Sequence, residues 1–554
     1  MNLLYNTTRF FISFYFLTAF AFAQAQDFAV TPTAAVTDGQ GEFTELDGAW
    51  GITTVVIGES TYALVVGYYD DGVQIINITD PENPTATAVA QDGQGGFTAL
   101  AGPRGITTVV IDNTTYALVA SRNDDGVQII NITDPENPTA TAAVTDGQTD
   151  GQGGQFTELD GPRGITTVVI DNTTYALVAS SSDDGVQIMD ITDPENPTAT
   201  AVAQDGQGGF TELDGAYSVT TVVIGESTYA LVTSYADDGV QIIDISTPAS
   251  PTATAAVTDG QGGFTELDGA SSITTVVIDN TTYALVASYL DDGVQIINIT
   301  DPENPTATAA VTDGQTDGQG GQFTELDGAQ SITTVVIGEK TYALVASYFD
   351  NGVQIIDIST PASPTASAVA QDGQGGFTEL YGARGITTVV IGEKTYALVA
   401  SYFDNGVQIM DITDPENPTA TAAVVDGQGG FTELYGARGI TTVVIGEKTY
   451  ALVGSFSDDG VQIMEMSVSS LSTGEPFFTS LTLYPNPVTS HLHIDNPQSF
   501  ELSYTVYDLT GKALSTHHIT GQSHSIDVST LAKGVYLLEA THNNNTTAMQ
   551  FVKE

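Results

Sequence analysis

Cysteine is absent from the 554 residues, which excludes disulfides, thiolate metal sites and cysteine nucleophiles together. Positive charge is scarce: 12 Lys and Arg stand against 68 Asp and Glu, for a formal net charge of -56. Such a chain has no basic footprint for nucleic acid or an anionic membrane surface. All six histidines (His491, His493, His517, His518, His524, His542) lie near the C-terminus. Residues 26–468 therefore offer no imidazole to a catalytic triad, a His-dependent acid or base, or a transition-metal site. Helical periodicity is missing throughout, and tryptophan occurs once, at Trp50. Disorder is excluded by the 41% of hydrophobic residues.

One long apolar run is present, Phe10 to Ala23, preceded by Arg9 and followed by Gln24-Ala25-Gln26. Ala23-Gln24-Ala25 fits a small-x-small cleavage site, so residues 1–25 read as a secretory signal and the mature chain has no membrane span.

Beyond the signal, internal repeats dominate. The string TYALV recurs with its tyrosine at Tyr62, Tyr116, Tyr175, Tyr229, Tyr283, Tyr342, Tyr396 and Tyr450, at spacings of 54 or 59 residues. The longer spacings carry an insertion beside a DGQ segment, where a surface loop tolerates extra residues. Each unit holds four runs rich in Val, Ile, Thr and Tyr, such as ITTVVI (a), TYALVAS (b), GVQIINIT (c) and PTATAAV (d). Turn chemistry separates them: DNT or GEK between a and b, DDG or DNG between b and c, DPENP or TPASP between c and d.

The two ends of the array match. An orphan d-like segment, Thr31 to Gly39, precedes the first a run, and the eighth unit stops after its c run at Ser467. Eight complete sets exist only if the orphan supplies the last d strand, which closes a ring and removes a free sheet edge. The expected fold is all-β, an eight-bladed propeller over residues 26–468 closed by an N-terminal strand. An open superhelical array is the alternative.

Segments such as Tyr283 to Thr306 (YALVASYLDDGVQIINITDPENPT) resemble the LVIVD-repeat propellers of bacterial and archaeal surface proteins. After a linker, 469–478, residues 479–554 show short alternating strands expected to form a small β-sandwich. This tail resembles the type A C-terminal sorting domain of the type IX secretion system of Bacteroidota. The matching positions are Tyr484-Pro485-Asn486-Pro487, Asp508, Gly511-Lys512, Gly534 and Tyr536. The resemblance implies type IX secretion machinery as a partner, Sec export, and a final address outside the outer membrane of a Gram-negative cell. It is nearly silent on activity, because propellers host unrelated functions.

Carboxylates are the catalytic candidates left in the propeller. Asp70, Asp124, Asp183, Asp237, Asp291, Asp350, Asp404 and Asp458 each precede Asp-Gly or Asn-Gly. Eight near-equivalent acids read first as hairpin turn residues. Hard oxygen donors in a Gly-rich loop would also suit Ca²⁺, although no EF-hand spacing is present. Acid-base work on a glycoside needs two carboxylates in unlike environments, which eight copies do not supply.

The units differ most where d leads into a and at the b–c tips. These two connections emerge at the same end of an up-down blade. Trp50, Arg104, Arg163, Tyr217, Arg384 and Arg438 follow the d–a loop, with Ser271 and Gln330 in the remaining units. Tyr68, Tyr235, Tyr289, Tyr348 and Tyr402 mark b–c tips. Tyrosine, tryptophan and arginine are enriched at binding surfaces, so those eleven aromatic and arginine residues form the candidate ligand face, for a glycan or a protein. The expected function is a secreted, non-enzymatic binding or adhesion module. A metal-dependent hydrolase or lyase acting on polysaccharide is the alternative.

Overall fold

The computed structural model describes residues 27–469, 481–496, 501–508, 512–519, 521, 523–542 and 545–554. The expected signal peptide, nearly all of the linker, and Gly511 lie outside them. Two compact units divide the chain, one spanning Phe28–Val468 and the other holding the residues from Ser469 onward.

The first unit is a propeller of eight four-stranded antiparallel sheets. Blade five shows the pattern, with strand a Ala270–Ile278, b Thr281–Ser288, c Gly293–Asn298 and d Thr306–Thr312. Strands a of neighbouring blades touch one another around the ring, and that of blade eight touches that of blade one. They are therefore innermost. The ring closes as the chain ends imply: the N-terminal strand Asp27–Thr37 is the outer partner of the last c strand, Gly460–Ser469. No blade is left with an exposed pairing edge on strand c.

Strands b and c are buried on both faces because neighbouring blades cover them, as in blade five, where Leu285, Val286, Ile296 and Ile297 are almost fully buried. Each interblade layer has its own cluster; Leu285, Ala287, Val294 and Ile296 of blade five pack on Ala343, Val345, Ile356 and Ile358 of blade six. Loop residues complete that layer: Phe323 and Leu326 are buried in it, so they anchor the long d–a loop rather than face solvent. Turns follow local chemistry, with Asp279 and Asn280 both at positive φ in the a–b turn as a tight hairpin requires.

The second unit holds two sheets, one of three strands and one of four. Their shared core includes Leu492, Ile494, Tyr504, Val506, Leu538 and Phe551, a small sandwich.

Candidate functional site

The d–a loops and b–c hairpins meet at one end of the ring, and a hydrogen-bond scheme repeated in every blade holds them there. The first Asp of each DDG or DNG accepts a backbone N–H from the d–a loop of its own blade, from Asp47 N to Asp70 Oδ2 in blade one to Tyr435 N to Asp458 Oδ2 in blade eight, at 2.6 to 2.8 Å. The second residue, Asp71 and its counterparts, adopts positive φ and points the other way. Its Oδ1 accepts from a loop glycine of the next blade, as from Gly102 N to Asp71 at 2.8 Å and, across the ring closure, from Gly48 N to Asp459 at 3.0 Å. These acids are thus clasps within and between blades. Among the described residues no group of three or more acidic or histidine side chains is disposed to hold a metal ion.

Beneath the clasps lie two buried polar side chains that the sequence reading passed over. Gln74 and its seven counterparts sit fully buried inside strand c. In blade one, Gln74 accepts from Thr44 N at 3.0 Å and donates to Ala88 O at 3.1 Å, tying loop to sheet. Glutamates 45, 158, 212, 266, 325, 379 and 433 are likewise buried, whereas blade two has Ala99 at this place. Burial first, and then nearby aspartates, push the carboxyls of Glu45, Glu158 and Glu325 up to about 8 and those of Glu212, Glu266, Glu379 and Glu433 up to about 7. A Cβ on Gly72 would lie 2.0 Å from Glu45 Oε2, so the glycine of DDG leaves room for the acid.

Every nominated ligand-face residue on strand a owes its direction to a bulge. Strand a is one residue longer than b, and the ladder runs from Pro162–Ser180 directly to Gly164–Ala179, leaving Arg163 unpaired. The same skip occurs at Arg104, Tyr217, Arg384 and Arg438 and, with one more residue, at Trp50. A bulge re-aims the side chain out of the pleat, here at the ring's end.

All eleven nominated residues lie there, in three clusters. Arg438 and Arg104 approach the Trp50 ring, at 3.2 and 4.5 Å from its centroid, with Tyr68 beside it at 5.4 Å. Arg163 lies 4.5 Å over Tyr217, which stacks on Tyr235 at 5.9 Å. Arg384 covers Tyr348 and Tyr402 at 4.9 and 5.0 Å, and Tyr289 joins them at 6.4 Å from Tyr348. Burial and the neighbouring Arg384 hold the Arg438 guanidinium below its usual range.

The structure adds residues that were not nominated. Phe349, Tyr381 and Tyr435 are about half exposed at 52%, 48% and 50%, enough to contact a ligand, and Phe403 lies 4.9 Å from Tyr381. A signal existed for two of them: the E-L-D-G loop becomes E-L-Y-G at Tyr381 and Tyr435. A cavity of about 510 Å³ opens on the same end, lined by Tyr217, Tyr235, Tyr289, Arg163 and Arg384 together with Arg122, Ser181, Ser182, Ser271 and Gln330.

In the second unit, Asn486 ties its Y-P-N-P segment to the last strand, donating to Gln550 O at 3.0 Å and accepting from Val552 N at 2.9 Å. Tyr536 donates to Ala532 O at 2.9 Å and stacks on Phe551. Lys512 N donates to Asp508 Oδ1 at 3.1 Å, and Gly534 opens the strand that carries Tyr536. Tyr484 is exposed.

Family models match in both units: the LVIVD repeat over residues 228–259 and 334–369, and the secretion system C-terminal sorting domain over residues 482–554. No curated protein sequence matches the chain. Similar solved structures include PorZ, an essential surface component of the type-IX secretion system of Porphyromonas gingivalis, at 14% identity and TM-score 0.38, covering 92% of this chain and 66% of PorZ. The periplasmic gluconolactonase PpgL of Pseudomonas aeruginosa is similar at 14% identity and TM-score 0.44, covering 66% of this chain and 96% of that one. A functionally unknown protein from Desulfotomaculum acetoxidans is similar at 15% identity and TM-score 0.38, covering 67% of this chain and 96% of that one. These distant likenesses carry no argument about activity. The chain is thus an eight-bladed β-propeller that carries LVIVD-repeat segments, followed by a secretion system C-terminal sorting domain, and its address is the outside of the cell by way of type IX secretion.

Proposed function

We propose that the propeller is a non-enzymatic binding module of the cell exterior, of the adhesion or scaffold kind, and that its ligand face is the end bearing the d–a loops and b–c tips. One observation carries the reading: at the positions where otherwise near-identical units differ, six bulged strand-a residues and five b–c tip tyrosines meet in three clusters of aromatic and arginine side chains at one end of the ring. The recurrent acids at that end clasp the backbone in every blade and so have a structural task of their own. Flat aromatic area with polar handles suits stacking on sugar rings or gripping a protein segment, and repeated contacts add avidity without a deep pocket.

The test is binding of the full secreted protein to glycan and extracellular-matrix arrays, beside a variant carrying Tyr289→Ala, Tyr348→Ala and Tyr402→Ala. Truncating an aromatic anchor costs on the order of 1 to 2 kcal/mol, so the triple variant should lose roughly 100-fold or more in affinity. Unchanged affinity removes the face from consideration.

A further inference from the structure

We infer that the cavity on this face binds an acidic sugar residue, its carboxylate or sulfate held by Arg163, Arg384 and Arg122; the inference rests on the proposed ligand face and names its ligand class.

The distribution of positive charge is the first ground. Residues 26–468 hold 61 acidic and 8 basic side chains. The three lysines sit at the a–b turns, at the opposite end of the ring, and each is paired: Lys340 with Asp357 at 3.0 Å, Lys394 with Asp411 at 2.7 Å, Lys448 with Glu465 at 2.8 Å. The five arginines all lie at the ligand-face end, and among the described residues none forms an ion pair with a carboxylate. Four of them lie over aromatic rings instead, near enough to one another for their charges to interact. Burial and then Arg163 lower the Arg104 guanidinium, and Arg384 acts likewise on Arg438. Gathering like charges without a counter-charge is costly unless an anion completes the set.

The lining of the cavity is the second ground. In a protein with 68 acidic residues, none of the residues around this cavity of about 510 Å³ is a carboxylate. Three are arginines, and the buried Nε of Arg384 has no hydrogen-bond partner. Guanidinium forks match the planar oxygens of carboxylate and the oxygens of sulfate.

The neutral wall selects the rest of the ligand. Tyr217, Tyr235 and Tyr289 supply flat apolar area, while Ser182 and Gln330 supply hydroxyl and amide groups; Ser181 Oγ accepts from Arg163 Nε at 3.3 Å and donates to Gly161 O at 3.0 Å, and so helps to position that arginine. The volume lies within the range of small-ligand sites and suits one or two sugar rings. The strongly acidic surroundings repel an extended polyanion, so a single acidic residue at a chain end fits where nucleic acid does not.

Calorimetric titration of the full secreted protein with three probes tests this: a galactose trimer ending in one galacturonic acid, a galactose trimer ending in one 6-sulfated galactose, and a neutral galactose trimer. The acidic trimers should bind at least about tenfold more tightly than the neutral one, since a charge-assisted hydrogen bond lost to a neutral group is worth roughly that factor. Their order tells carboxylate from sulfate. Arg163→Gln and Arg384→Gln should each weaken the acidic trimer about tenfold more than they weaken the neutral one. Arg122→Gln, at the half-buried edge, should weaken it in the same sense and guards against a folding defect in the other two. Equal binding of neutral and acidic trimers, unaffected by the arginine variants but lost in the triple tyrosine variant, would overturn the anion inference and leave the ligand face standing. Binding of the acidic trimer that survives the tyrosine variant but not the arginine variants would support the anion site and remove the Tyr289, Tyr348 and Tyr402 cluster from the ligand face. Binding of none of the probes would also overturn the inference.

Discussion

Raising the pH from 5 towards 8 should destabilise the propeller, and the buried glutamates set how steeply. Seven of them hold their protons in the folded protein up to about pH 7 or 8, against an ordinary glutamate value of 4.5. Below that ordinary value both folded and unfolded chains are protonated, and the acids are silent. Between the two values the folded chain keeps a proton that the unfolded chain has lost, so every step up in pH favours unfolding. The limiting slope is about 1.4 kcal/mol per pH unit for each acid. Allowing half of it for relaxation and water entry, seven acids cost about 5 kcal/mol per unit. A domain of this size gains on the order of 1 kcal/mol per kelvin of entropy on unfolding, so Tm should fall by about 5 °C per pH unit from roughly pH 5 to 7. Replacing Glu45, Glu158 and Glu325 with Gln supplies the neutral shape at all pH values. That triple variant should flatten the slope by about 2 °C per unit. Differential scanning calorimetry across the range reads both. A Tm that is flat or rises with pH, or a triple variant with the full slope, would refute the assignment of these acids as protonated groups.

Three further outcomes follow from the same geometry. Asp291→Ala deprives Asp268 N–H of its acceptor and leaves Leu267 N–H only the longer bond to Asp259, and should lower Tm by about 2 °C in calorimetry, from roughly 2 kcal/mol of lost clasp; Asp291→Asn should lower it by less. Deleting residues 27–37 strips the last blade of its outer strand and should give a protein that unfolds over a broader range and self-associates more on size-exclusion chromatography than the parent. Deleting residues 482–554, the matched sorting domain, should leave the propeller in the periplasmic fraction, read by immunoblot of fractionated cells.

The blade count and ring closure were legible because they are one-dimensional facts: a 54-residue period and an orphan strand at one end matched by a missing one at the other. The turn chemistry was legible too, since DDG and DNG specify their own backbone; the structure adds that the positive φ falls on Asp71 or Asn351 rather than on the glycine. The buried Gln74 was not legible, because a lone glutamine in VQI reads as strand polarity until the loop that needs its acceptor is in place. Glu45 was hidden for the same reason: its burial comes from a hairpin 25 residues further on that folds over it. Sequence variation picked out eleven candidate residues that share one end of the ring, but not their division into three clusters, which depends on the bulge in strand a and on which blades are neighbours. The cavity wall was missed because Ser181, Ser182 and Gln330 look like ordinary surface residues until the ring turns blades three and six toward one cavity.

The most direct test of the ligand face is hydrogen–deuterium exchange of the full secreted protein with and without the tightest-binding saccharide from the array and titration experiments. Protection should concentrate in the b–c tips at 289–290, 348–349 and 402–403 and in the bulges at Arg163 and Arg384, with the a–b turns at 338–340, 392–394 and 446–448 unchanged. Protection confined to the a–b turns, or to the blade rims, would contradict the account.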